Sequence, residues 1–153
     1  MNLPLPKPNT EKEKAKRQRD KTRNMKEVVA VVRSLDHDRC RNPYCSSWRY
    51  HADKRGWFQA MGGMYLDPPH HIIFKSQGGD DSVENLILLC NVCHRFMHQG
   101  LNHKVKGRMS ALKCAILMLD ELKQQPGFRH EKPLGQLRLN LSRKEPVPVE
   151  EPA

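Results

Sequence analysis

Cysteine and histidine residues are concentrated between Pro69 and Gly100, at separations that suit metal binding. Two adjacent histidines open the segment, a Cys-x-x-Cys pair runs directly into another histidine, and a further histidine follows four residues later. Thiolates and imidazoles are common ligands of Zn²⁺ and related ions, and histidine can also transfer protons near neutral pH. The residues with this potential chemistry are His70, His71, Asn85, Cys90, Cys93, His94 and His98.

The residues between these groups predict two short strands and a helix. The segment His71–Phe74 contains two isoleucines and ends before a Gly-Gly pair, and Leu86–Leu89 is a second short apolar run. On a helix after the Cys-x-x-Cys pair, His94 and His98 are spaced i, i+4 and face the same side. We therefore expect the strand end with the two adjacent histidines to meet that helix face.

In this arrangement, the pattern HHI, GG, ENL and LC-x-x-CH-x-x-x-H resembles the HNH endonuclease family. The resemblance covers roughly Arg39–Gly100. It implies an α+β protein with a small ββα-metal (His-Me finger) core, structural zinc knuckles and flanking helices. It also implies metal-dependent hydrolysis of DNA phosphodiester bonds, by nicking or by double-strand cleavage.

The resemblance also assigns roles to individual residues. His71 takes the place of the general base, and Asn85 that of the residue holding the loop that orients it. The positions that bind the catalytic metal are His70, His94 and His98. Imidazole ligands suit Zn²⁺ and Ni²⁺ while oxygen ligands suit Mg²⁺, so Mg²⁺, Mn²⁺, Ni²⁺ and Zn²⁺ all stay open as the catalytic ion.

A second metal site is predicted from the remaining cysteines. Cys40 and Cys45 form a C-x4-C pair, which is weak evidence by itself, but Cys90 and Cys93 complete a set of four thiolates. Four thiolates fill a tetrahedral Zn²⁺ shell, so this site should be structural. Cys114 lies in an apolar helical stretch and is expected to be a small core residue.

The charge of the chain favours a nucleic-acid partner. Its net charge is +10 over 153 residues, and basic proteins of this size commonly meet nucleic acid. Residues 1–25 predict a basic, disordered arm that either gains order on DNA or is only a solvated tail. Its candidate phosphate ligands are Lys12, Lys14, Lys16, Arg17, Arg19, Lys21 and Arg23.

We divide the rest of the chain into a nuclease domain (26–105), a helix packing on its core (106–126) and a loose tail (127–153). Residues 26–36 carry a helical stripe of valines, with a strand as the alternative. In the tail, alternating leucines at 137, 139 and 141 suggest an edge strand. The helix over 106–126 could instead form a dimer seam, so a homodimer stays open.

Residues 46–66 form a linking segment between the first cysteine pair and the strand with the two adjacent histidines. This segment is rich in aromatic and basic residues and either covers the core or faces DNA. No secretory signal or apolar run of membrane-spanning length is present, so we expect a cytoplasmic protein, including the cytoplasm of a phage-infected host.

The preferred function is an HNH endonuclease on DNA, most readily double-stranded, of phage-associated, homing or restriction type. The alternatives are a non-catalytic, zinc-stabilised DNA-binding protein and a nuclease acting on RNA.

Overall fold

The structure is a computed structural model that describes residues 10–45, 48–51, 56–59, 65–103 and 107–145. Within those ranges, the elements in chain order are α1 (Thr10–Leu35), β1 (Trp48–His51), β2 (Gly56–Gln59), β3 (His70–His71), a 3-10 turn (Lys75–Gln77), β4 (Leu86–Ile87), α2 (Asn91–Gln99), β5 (Leu101–His103), β6 (Gly107–Met109), α3 (Ala111–Leu122) and α4 (Glu131–Lys144). The strands pair antiparallel as β1 with β2, β3 with β4, and β5 with β6. This mixture of helices and small sheets confirms the α+β class.

The β3–β4 hairpin and α2 are where the two apolar runs and the helical histidines were expected. His70 pairs with Ile87 and His71 with Leu86. The first strand is shorter than the predicted His71–Phe74 because the Ile73 amide donates to the Asn85 side chain, at 2.8 Å, instead of to a strand neighbour. The helix α2 begins after Cys90, whose Sγ accepts from the amide of residue 93 at 3.4 Å.

The helix α1 extends far beyond the predicted helix over 26–36. It starts at Thr10, so the expectation of a disordered arm is wrong for residues 10–25, while residues 1–9 lie outside the described ranges. The valine stripe is only partly buried: Val32 is fully buried, whereas Val31 and Leu35 are each 47% exposed. Residues 11–24 of α1 are exposed along their whole length.

The C-terminal region is more ordered than predicted. The helix α3 begins at Ala111, later than expected, because Gly107–Met109 pairs as β6 and Ser110 caps the helix. Leu119 and Leu122 of α3 are buried and belong to the core cluster.

The loose tail expected over 127–153 is wrong for Glu131–Lys144, which forms α4. The edge strand expected at its three alternating leucines is wrong for the same reason. Leu134 and Leu137 are buried on one side of the helix and Leu139 is 54% exposed, which is a helical pattern. Residues 146–153 lie outside the described ranges, as do the side chains of residues 46–64, so both readings of the linking segment stay open.

A buried ion pair joins the helices to the hairpin. Asp36, at the end of α1, is fully buried, and Arg129, just before α4, binds its carboxylate through Nη1 at 2.8 Å and Nη2 at 3.1 Å. The same carboxylate accepts from the Leu88 amide at 2.8 Å, and the Arg129 guanidinium also donates to the carbonyl groups of Val83 and Leu86. These bonds set the position of β4 relative to α1 and α4.

Among the described helices, none combines the length and the apolar character that crossing a membrane requires.

Candidate metal centres and active site

The four predicted cysteines meet in the core. Cys40 and Cys45 follow α1, while Cys90 and Cys93 lie at the start of α2, and all four are buried with Sγ atoms within 4.8 Å of one another. The Cys45 and Cys90 sulfurs are 3.8 Å apart. This is far longer than a disulfide bond of about 2.05 Å, and it matches the roughly 3.8 Å between two sulfurs that tetrahedral Zn–S bonds of about 2.3 Å would give.

The electrostatics of this cluster also suit a cation. Burial raises the pKa of Cys90 to about 11. The hydrogen bond between Cys93 and Cys40 is the main reason that the pKa of Cys93 is raised and that of Cys40 is lowered to about 6. Four buried thiolates would repel one another, whereas a divalent cation among them stabilises the charged form of each. The four cysteines therefore fit a closed, structural Zn²⁺ site.

Three of the predicted histidines form a second cluster. The strand β3 supplies His70, and α2 supplies His94 and His98, with ligand nitrogens within 4.8 Å of one another. Nε2 of His94 lies 2.9 Å from Nε2 of His98, and the His70 ring lies 4.9 and 5.0 Å from those two rings, between centroids. Phe74 stacks on the His98 ring at 4.9 Å. Three converging imidazoles fit a divalent ion and leave further coordination positions for a ligand.

The protonation of these histidines favours metal binding. His70 is buried, and this burial, together with the neighbouring His94 and His98, lowers its pKa to about 3. The pKa of His98 is lowered by burial and by His94. An imidazole that is neutral at neutral pH has a nitrogen lone pair to offer to a metal.

A carboxylate orients one of the three histidines. Oδ2 of Asp67 accepts a hydrogen bond from Nδ1 of His94 at 2.8 Å, which leaves Nε2 turned to the cluster. The backbone of Asp67 donates to the Leu89 carbonyl, so the residue is held beside the start of α2. Partners of this kind fix the tautomer and orientation of metal-binding histidines. Asp67 is not among the candidate residues identified from the sequence.

His71 faces away from the three-histidine cluster, as alternation along a strand requires. Its side chain is 21% exposed, and its Nε2 lies 2.7 Å from Oδ1 of Asp81. This hydrogen bond, with a smaller contribution from Lys75, lowers the pKa of Asp81. Asp81 is likewise not among the candidate residues identified from the sequence.

Asn85 holds the loop between the two strands. Its buried side chain accepts from the Ile73 amide at 2.8 Å and donates to the carbonyl groups of Ile73, at 3.0 Å, and Asp80, at 2.9 Å. Gly79 must be glycine here, because a Cβ at this position would lie 1.8 Å from the Ile73 carbonyl oxygen. The loop that carries Asp81 is thus closed onto the end of β3.

The predicted phosphate-binding cations all lie on exposed turns of α1. The part of α1 with Lys21 and Met25 borders a groove that also includes Asp81, and Lys26 and Lys75 line its neighbouring portion. Lys12 is about 14 Å farther along the helix than Lys21, at 1.5 Å per residue. The structure therefore brings the C-terminal part of the basic segment, but not its start, beside the His71 loop.

Cys114 is half-buried against the core, as predicted, and within the described ranges it belongs to neither group of candidate ligands.

Comparison with known proteins agrees with this geometry. Residues 66–100 match the family model described as HNH endonuclease. The resemblance to HNH endonucleases is therefore confirmed over this segment, which contains the three-histidine cluster, His71 and Asn85.

One relative is the type IV methyl-directed restriction enzyme EcoKMcrA of Escherichia coli strain K12, which is 44% identical over 43 residues. The match covers 28% of this chain and 15% of that enzyme. The comparison with solved structures gave no significant match.

Proposed function

We propose that this protein is a metal-dependent HNH endonuclease that hydrolyses DNA phosphodiester bonds, with β3, β4 and α2 as its ββα-metal core. The observations that carry the proposal are the convergence of three imidazoles and, at the next position of β3, a carboxylate-bound His71, all within the segment that matches the HNH family.

In the proposed reaction, His71 accepts a proton from the attacking water. Histidine suits this task because its ordinary pKa lies near neutral pH. Asn85 keeps the loop closed so that the imidazole is held in one place. His70, His94 and His98 would hold the divalent ion, and Asp67 would orient His94 toward it. When bound, such an ion polarises the phosphate and stabilises charge on the leaving oxygen.

The four-cysteine cluster has a structural role in this proposal. Its Zn²⁺ would join the segment after α1 to the start of α2, the helix that carries two of the catalytic-metal ligands. Binding energy at such a site contributes directly to folding. The four thiols also suit a reducing compartment, so we keep the cytoplasm as the proposed location.

DNA is the proposed substrate because of the family match, the net charge of +10 and the exposed cations of α1. The relative is a restriction enzyme, which makes a restriction-type role our preference over homing, and no comparison supports a phage role. Double-stranded DNA is the first substrate to test, and homodimer formation stays open.

The test is incubation of zinc-loaded protein with supercoiled plasmid across Mg²⁺, Mn²⁺, Ni²⁺ and Zn²⁺. We expect nicked or linear product with at least one ion, little with His71→Ala, and none when EDTA is added immediately before the DNA. Parallel reactions with RNA and with linear DNA show which of these nucleic acids the protein cleaves. Retained DNA binding without cleavage under every condition would instead support the non-catalytic, zinc-stabilised DNA-binding protein.

A further inference from the structure

The loop between the two strands places a carboxylate against the proposed general base. We propose that Asp81 is a positioning residue for His71, holding its imidazole by Nε2 so that Nδ1 is the nitrogen that accepts the proton from water. This proposal rests on the proposed nuclease function, because it assigns a partner and a working atom to the proposed base.

The atoms that meet determine which nitrogen is left for chemistry. An ionised carboxylate can only accept hydrogen bonds, so at 2.7 Å from Oδ1 of Asp81 the Nε2 atom of His71 must be the donor. A neutral imidazole has one donor and one acceptor nitrogen. When the imidazole is neutral and makes this hydrogen bond, Nδ1 therefore carries the lone pair.

The proposed step follows from that tautomer. Nδ1 of His71 takes one proton from water while the water oxygen forms a bond to phosphorus. The bond from phosphorus to a bridging sugar oxygen breaks, and that oxygen leaves as a hydroxyl group after gaining a proton from solvent. Asp81 stabilises the doubly protonated imidazole, stays ionised and transfers no proton.

The loop is built to keep Asp81 in this position. Asn85 donates to the carbonyl group of the preceding residue, Asp80, and the close approach of Gly79 to Ile73 closes the loop beneath it. Asp81 therefore connects Asn85, which the family resemblance identified, to the side chain of His71.

A purely electrostatic role for Asp81 is the competing explanation, because Nζ of Lys75 lies 3.0 Å from the same Oδ1 atom. The chain offers a matched control in Asp80, the adjacent acid, whose carboxylate accepts from Ser82. Asp80→Ala removes the same charge next to the same site, so changes in DNA affinity due to charge alone appear in both variants.

The test compares single-turnover cleavage rates at saturating DNA and metal for the parent, Asp81→Ala, Asp80→Ala, His71→Ala and the His71→Ala/Asp81→Ala double variant. We expect Asp81→Ala to cut at least about tenfold more slowly, with zinc content and melting temperature kept, while Asp80→Ala stays within about twofold of the parent. Because Asp81 acts through His71, its loss should slow the His71→Ala protein by less than about twofold. A parental rate for Asp81→Ala, an equal loss in Asp80→Ala, or a full additional loss in the double variant would overturn the proposal.

A second measurement does not depend on cleavage. In ¹H–¹⁵N spectra of the zinc-loaded protein, His71 should show a protonated, hydrogen-bonded Nε2 that Asp80→Ala leaves unchanged and Asp81→Ala alters. Unchanged His71 signals in Asp81→Ala would refute the positioning role even if the parent protein proves inactive. Altered signals together with an inactive parent would count against the nuclease proposal and leave the His71–Asp81 pairing standing.

Discussion

Replacing Arg129 with methionine should strongly destabilise the protein, because it leaves a buried carboxylate without its main partner. Arg129 makes two charged hydrogen bonds to Asp36, whose side chain has no exposed surface. After the change Asp36 retains the Leu88 amide at 2.8 Å and a more distant Arg41, whose Nε lies 3.7 Å away.

The expected cost follows from this burial. Removing one partner of a buried ion pair typically costs about 3–5 kcal/mol, since the remaining charge cannot regain water. The variant also loses donors to the Val83 and Leu86 carbonyl groups at the end of the loop and in β4, which places the estimate at the upper part of that range. The free energy of unfolding of a domain is commonly about 5–15 kcal/mol, so this substitution should remove a large part of it.

Urea unfolding of zinc-loaded parent and variant, followed by circular dichroism, measures the difference. The matched control is Arg138→Met, because Arg138 also pairs with an aspartate, Asp120, but those side chains are 57% and 40% exposed. An exposed pair contributes about 0–1 kcal/mol, so the control should unfold near the parent midpoint. If Arg129→Met costs less than about 1 kcal/mol, or no more than the control, the buried pair does not anchor the hairpin and our reasoning is wrong.

Four further predictions concern the metal sites, the basic helix and acid stability. Cys90→Ser should lose the structural zinc and unfold or aggregate, and a variant with parental zinc content and melting temperature would refute the four-thiolate site. Deleting residues 1–24 should weaken DNA binding and reduce its logarithmic salt slope by about 0.9 per lost phosphate contact, whereas an unchanged slope would leave this part of α1 without a binding role. His71→Ala should cut DNA about 10²- to 10⁴-fold more slowly, with little change in metal affinity. His94→Ala should bind the metal more weakly and regain activity with excess metal. If excess metal also restored the activity of His71→Ala, the role of His71 as the base would be refuted. Burial lowers the pKa of His130 from 6.5 to about 4. The neutral buried imidazole therefore costs no stability above about pH 6.5, whereas about 3 kcal/mol of the free energy of unfolding is lost as the pH falls from there to about 4. The free energy of unfolding should depend less on pH across this window in His130→Gln than in the parent, and equal slopes would exclude the effect.

The candidate ligands could be identified from the sequence because local spacing already constrains them. A Cys-x-x-Cys pair at the start of a helix, with histidines at i and i+4 after it, places those side chains together whatever surrounds the helix. The two adjacent histidines on a strand likewise had to face opposite sides. The structure brings Cys40 and Cys45 to the other two cysteines, although the first pair was weak evidence by itself.

The C-terminal helix α4 shows where local pattern reading failed. Leucines at 137 and 139 alternate as in a strand, but Leu134 and Leu137 are the residues that are buried in the core. The sequence supports either period over such a short segment, and packing against α3 decides between them. The start of α1 is a similar case, since a run of mixed charges is compatible with a solvent-exposed helix and with a disordered arm.

The partners that tune the site were decided only by tertiary structure. Asp67 is 27 residues from His94, and Asp36 is 93 residues from Arg129, so no local spacing connects them. Asp81 is only 10 residues from His71, but their contact depends on the loop closure that Asn85 and Gly79 impose. The sequence by itself determined which side chains could bind metal or accept a proton, since residue type and helical or strand period are local properties. Which carboxylates orient them was decided by the folded chain, because an aspartate in a loop has the same local pattern whether it faces water or an imidazole.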